Sequence, residues 1–115
     1  MKSYTDIEQS KRLAEILPLE SADMCYLSEE SLVPKVIYNG MVFFNSEKER
    51  LTDVIHCWSL TALMDILDRG ALFITPQGWA CQSYINFKAI TSSYYDNPVD
   101  SCYEMIIKLH EQKLL

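Results

Sequence analysis

The sequence predicts an α+β fold: an antiparallel sheet of about four to five strands with three helices, in the order α-β-β-α-β-β-α. Three observations predict it. Helix-opening signatures stand near both ends, at Thr5-Asp6-Ile7-Glu8 and at Asn97-Pro98-Val99-Asp100. Two β-prone runs flank the pair Asn39-Gly40, the strongest short hairpin signal. Ser59 and Gly70 bracket a third helical stretch. A chain of 115 residues is the size of one domain, and residues 1–115 are read as one.

The first helix is expected over residues 5–17. Thr5 can accept from the Glu8 N–H while the Glu8 carboxylate reaches back to the Thr5 N–H. Ile7, Ser10, Leu13, Ala14 and Leu17 share one face, with Glu8–Arg12 and Lys11–Glu15 on the other. Pro18 stops the helix, because the residue before proline is pushed out of the α region. Residues 22–27 read as a short strand, 36–44 as a hairpin turning at Asn39-Gly40, and 45–53 as a charged loop or strand extension.

The middle helix is expected from Ser59 as N-cap to Gly70 as a left-handed terminal residue. Leu60, Ala62, Leu63, Met64, Ile66 and Leu67 cover most of its circumference. It is therefore expected to be the most enclosed helix. Residues 71–75 read as a strand, 76–78 as a turn, and 79–87 as a longer strand. Alternation puts Trp79, Cys81, Ser83, Ile85 and Phe87 on one face and Ala80, Gln82, Tyr84, Asn86 and Lys88 on the other. Residues 91–96 form a tyrosine-bearing loop. The last helix spans 98–113, with proline at its first position. Val99, Cys102, Tyr103, Ile106, Leu109 and His110 share its apolar arc. The first and last helices are expected to cover one shared sheet.

The formal net charge is -6, and the basic residues are scattered. Wrapping a phosphate backbone needs clustered cations, so no nucleic-acid partner is expected. A basic or zwitterionic protein surface suits this charge better. No stretch approaches the roughly 18 apolar residues of a membrane span. The N-terminus lacks a basic region followed by an apolar run, and the protein is read as cytoplasmic.

Cys25, Cys57, Cys81 and Cys102 form no C-x-x-C pair. They read as thiols behaving as small buried hydrophobes. His56 adjoins Cys57, but neighbours in a strand point to opposite faces, so His56 is badly placed to activate that thiol. The cysteine and histidine spacings do not match the short-range pairs of structural zinc sites. Asp65 and Asp68 share a helix edge at i, i+3, where a solvated face is the ordinary reading. With three glycines in the chain, no phosphate-cradling loop exists. No catalytic residue, metal ligand or cofactor is assigned.

The aromatic residues are more informative. Trp58, Trp79, Tyr84, Tyr94 and Tyr95 fall at element edges or on the wetter strand face. Aromatic rings with few charges around them suit protein interfaces. Core packing is the competing reading for the tryptophans. Trp79, Tyr84, Tyr94 and Tyr95 are the candidate binding residues.

Three segments resemble a known group: residues 4–18, from Tyr4-Thr5-Asp6-Ile7 to Ile16-Leu17-Pro18; Cys57-Trp58-Ser59-Leu60-Thr61-Ala62-Leu63; and Asn97-Pro98-Val99-Asp100-Ser101-Cys102-Tyr103-Glu104-Met105-Ile106. Together they are similar to small uncharacterised proteins encoded by gut Bacteroidetes and their phages or mobile elements. The resemblance implies an intracellular or phage-associated protein and carries over no catalytic residues. The expected function is a non-enzymatic interaction module that binds a protein partner or itself. One alternative is a small-ligand-binding or hydrolytic domain using His56, Cys57 or Cys81. Another is an acidic mimic of nucleic acid.

Overall fold

The computed structural model describes residues 1–37, 47–48, 54–68 and 70–115. The chain divides into two units. One is Asp6–Trp58, and the other joins Met1–Thr5 to Ser59–Leu115.

In the unit Asp6–Trp58, helix α1 is Ile7–Ala14. Its N-cap is Asp6, not Thr5. The Asp6 carboxylate accepts from the Gln9 N–H at 2.8 Å, and the Gln9 side chain accepts from the Asp6 N–H at 3.1 Å. Tyr4 is held in a β-bridge to Ser59, so the chain is still extended there and helix entry falls to the next good cap. Ser10 and Leu13 are its buried residues. The expected helical ion pairs are rearranged: Arg12 reaches Glu15 at 3.1 Å, and Lys11 reaches Glu29 instead.

Pro18 leads into a 3-10 turn, Leu19–Ser21. Strands β1 (Met24–Tyr26), β2 (Lys35–Val36) and β3 (Ile55–Cys57) form an antiparallel sheet in the order β2-β1-β3. Helix α1 packs on β3. Trp58 is fully buried and its indole N–H donates to Ser21 Oγ at 3.0 Å. That hydrogen bond satisfies the one polar atom of the ring. The Asn39-Gly40 turn and most of the 45–53 segment lie outside the described residues.

In the other unit, helix α2 is Leu60–Ile66. Ser59 Oγ caps it by accepting from the Ala62 N–H at 3.2 Å. It ends before Gly70, which opens a strand instead of closing the helix. Gly70 is needed there for close approach: a Cβ would lie 3.0 Å from Leu67 Cβ and 3.1 Å from Leu67 O. Only Ala62 and Leu63 are buried within α2, so it is less enclosed than its composition suggests.

Strands β4 (Gly70–Thr75), β5 (Gly78–Ile85) and β6 (Lys88–Thr91) form the second antiparallel sheet, in that order. Helix α3 is Pro98–Glu111, with Asn97 accepting from the Asp100 N–H at 2.9 Å. It packs on β5 and on α2. Its end is closed by Lys113 at φ 58°, with Leu114 N–H donating to Leu109 O at 2.8 Å. The N-terminal residues belong to this unit. Leu60 N–H donates to Ser3 O at 3.0 Å, and Lys2 pairs with Asp100 at 2.9 Å.

The fold is therefore α+β with three helices among the described residues, but its strands are shared between two sheets. Each terminal helix packs on the sheet of its own unit, where one shared sheet was expected. Helix α1 covers the first and α3 the second.

Candidate functional site

The candidate aromatic residues all belong to the second sheet and its margin. Hairpin β4–β5 turns through Pro76–Gln77, with Thr75 facing Gly78. Gly78 sits at φ 128°, and a Cβ there would lie 2.4 Å from the Tyr95 carbonyl oxygen. That close approach lets the segment after β6 join the sheet. Trp79 N–H donates to Tyr95 O at 2.7 Å, and Tyr95 N–H donates to Trp79 O at 2.9 Å.

Further along, Gln82 faces Thr91 and Ser92 pairs with the backbone of Cys81. Two residues separate Trp79 from Gln82, but three separate Thr91 from Tyr95. The extra residue makes Ser93–Tyr94 a bulge, a device that bends an edge and re-aims a side chain.

Sheet alternation then sorts the site residues. Cys81 and Ser83 are buried, whereas Gln82 and Tyr84 are exposed. The cross-strand neighbours Ala71, Thr91 and Ala89 are exposed too. Tyr84 thus stands on an open sheet face opposite an alanine, 55% exposed, and Tyr94 is 50% exposed at the bulge. Trp79 and Tyr95 form a half-buried cross-strand pair. Burial raises the Tyr95 phenol above its ordinary range, and the Glu104 carboxylate beside it adds to this. Glu104 also fixes the bulge by accepting from the Ser93 N–H at 2.6 Å.

Phe87 is a residue that the sequence reading misplaced. It was expected to end the inward face of a strand. Instead β5 stops at Ile85, and Asn86 and Phe87 form a two-residue turn at φ 53° and 62°. Both central residues therefore adopt positive φ, the signature of a type I′ turn. Phe87 is 93% exposed. The misplacement also hid β6, which the sequence had not marked as a strand.

The thiol constellations come out differently. All four cysteines are buried, and none of them is in a disulfide. His56 faces Cys25 across the ladder, and Cys57 faces Met24, so His56 and Cys57 do point to opposite faces. Burial, helped by Cys57, raises the Cys25 thiol. That environment suppresses the thiolate which nucleophilic chemistry requires. His110, expected on the apolar arc, is exposed near the end of α3. Asp65 and Asp68 are exposed on α2 and just beyond it. Among the described residues no three His, Cys, Asp or Glu side chains converge.

An apolar cleft of about 250 Å³ lies on the covered side of the second sheet. Ser83 and Ile85 of β5, Ile66 and Leu67 of α2 and its cap, and Leu109 and Leu114 line it. Alternation along β5 sets it on the opposite side from Tyr84. Its C-terminal wall exists because the left-handed Lys113 turns Leu114 back toward Leu109. The sequence reading did not find it, since Leu114 follows the last helical residue.

No protein-family model, curated protein or solved structure matches this chain. Among the described residues, no helix is long and apolar enough to cross a membrane.

Proposed function

We propose that this protein is a non-enzymatic interaction module. It binds a protein partner through the open face of β5–β6 and the turn that joins them. The observation that carries this reading is Phe87, a large apolar side chain almost fully in solvent on a backbone that favours glycine. Such a residue adds strain and exposed apolar area to the free protein, and a partner that covers it would recover the second. Tyr84 on the open strand face and Tyr94 at the bulge are exposed too. The net charge of -6 suits a partner of basic character. The resemblance noted above adds a phage or mobile-element setting to the proposal.

Partner capture with purified wild-type protein, Tyr84→Ala/Tyr94→Ala and Phe87→Gly tests it. Both variants should keep their folded signature and lose the partner, and added salt should weaken wild-type capture. Retention of every captured partner by both variants overturns the reading.

A further inference from the structure

The covered face of the second sheet has a low point at the cross-strand pair Gly70–Ser83. Glycine brings no side chain and serine a short one, and α2 has ended at Ile66 before the chain reaches this pair. The helices leave the space unfilled, and the cleft of about 250 Å³ stands over Ser83. Its walls are fixed by the core. Leu67 and Leu109 are 2% and 3% exposed, and Leu114 is tied to Leu109 by the hydrogen bond that closes α3.

Ser83 itself is 2% exposed. Among the described residues its hydroxyl has no hydrogen-bonding partner, whereas every side-chain N or O atom fully shut off from solvent has one. The hydroxyl is therefore reached from the cleft, not sealed behind it. A buried hydroxyl left unpaired costs free energy. Water serves it poorly, because a buried water needs about two to four polar partners and the walls here are apolar. The other polar residue of the lining, Asp68, is exposed at the mouth.

We propose that this cleft binds a small uncharged molecule with a compact apolar body and one hydrogen-bonding group, which meets Ser83 Oγ. An apolar cavity of about 150 Å³ holds one benzene ring, so this cleft holds about ten non-hydrogen atoms. An anion is disfavoured by the Asp68 carboxylate and by the net charge of -6. A cation would have to leave water for a single hydroxyl, which does not repay its desolvation. A peptide segment brings several backbone N–H and C=O groups, and the apolar walls cannot satisfy them. The cleft faces away from Tyr84, so the site is separate from the surface proposed for a protein partner.

The experiment uses indole and indene, which share one fused-ring shape and differ in that only indole carries an N–H. The whole chain, labelled with nitrogen-15, is titrated with each compound and followed by its backbone amide shifts. Indole should bind with a Kd below about 1 mM. It should move the amides of Ser83, Ile85, Leu109 and Leu114 and spare those of Phe87 and Tyr94. Ser83→Ala removes the unpartnered hydroxyl and keeps the fold. It should weaken indole about fivefold, since Ser83 Oγ no longer accepts the indole N–H, and change indene by less than about twofold. Indole-2-carboxylate should bind at least about tenfold more weakly than indole. Leu114→Trp should fill the cleft and abolish binding of both rings.

The proposal is overturned if neither ring moves these amides, if Ser83→Ala weakens indole and indene equally or not at all, or if the carboxylate binds as well as indole. Should Leu114→Trp fail to fold, the comparison of indole with indene at Ser83 decides.

Discussion

Gly78 carries two requirements in one residue. Its φ of 128° is strained for any side chain, and the Tyr95 carbonyl occupies the place of a Cβ. Gly78→Ala must therefore either break the Trp79–Tyr95 pairing or distort the turn. A loss of about 3 kcal/mol is expected in urea unfolding, from backbone strain plus a lost pairing. Tyr95 gives a second residue-scale prediction, in its dependence on pH. Its phenol is raised in the folded state, first by burial and then by Glu104. The contribution is complete below the ordinary tyrosine value of 10.0 and is lost as pH rises through and beyond it, because the unfolded chain gives up its proton first. Wild type should thus lose stability more steeply than Tyr95→Phe in unfolding curves taken across that range. At this scale the sequence was readable where chemistry is local. Ser59 and Asn97 cap the helices that they were expected to cap. It misled where a distant partner decides. Thr5 looked like a cap until Tyr4 was bridged to Ser59, and Gly70 looked like a helix stop until its nearness to Leu67 was seen.

Among the elements, the β5–β6 hairpin makes the sharpest prediction. Phe87 sits at φ 62° with its ring in solvent. Phe87→Gly should relieve the left-handed backbone and raise stability by about 1 kcal/mol, measured by thermal or urea unfolding. The same substitution should abolish partner capture, so stability and binding should move in opposite directions. A variant that loses stability would show that the ring packs in the free protein. Helix α3 was legible because its signals are redundant: an Asn97 cap, proline at the first position and an apolar arc. Strand β6 was illegible because the turn before it uses phenylalanine where such turns favour glycine. Without that mark, the run Lys88–Thr91 merged into the loop behind it. The candidate surface was half legible for the same reason. Tyr84 and Tyr94 were found by alternation and composition, while Phe87 was assigned to the wrong face.

At the scale of the molecule, the helix count and the mixing of helices with antiparallel strands were readable from periodicity. The division of strands between two sheets was not. Pairing partners are chosen by register and turn geometry over long separations, and strands as short as Lys35–Val36 leave almost no pattern to read. The role of the first five residues was equally hidden. They make a bridge to Ser59, a backbone hydrogen bond to Leu60 and an ion pair to Asp100, and Thr5 is fully buried. Deleting Met1–Thr5 should therefore cost about 2 kcal/mol in urea unfolding, although it removes no helix and no named strand.

The bridge between Tyr4 and Ser59 has a genetic corollary. Everything from Asp6 to Trp58 is strung between two points a ladder spacing apart, about 5 Å. Along the chain, that stretch leaves the other unit and returns to it at paired positions. With Asp6–Trp58 taken out, Thr5 plus one added residue would make the two-residue reverse turn that an antiparallel pair needs, so a chain shortened in this way can close without stretching the backbone on either side.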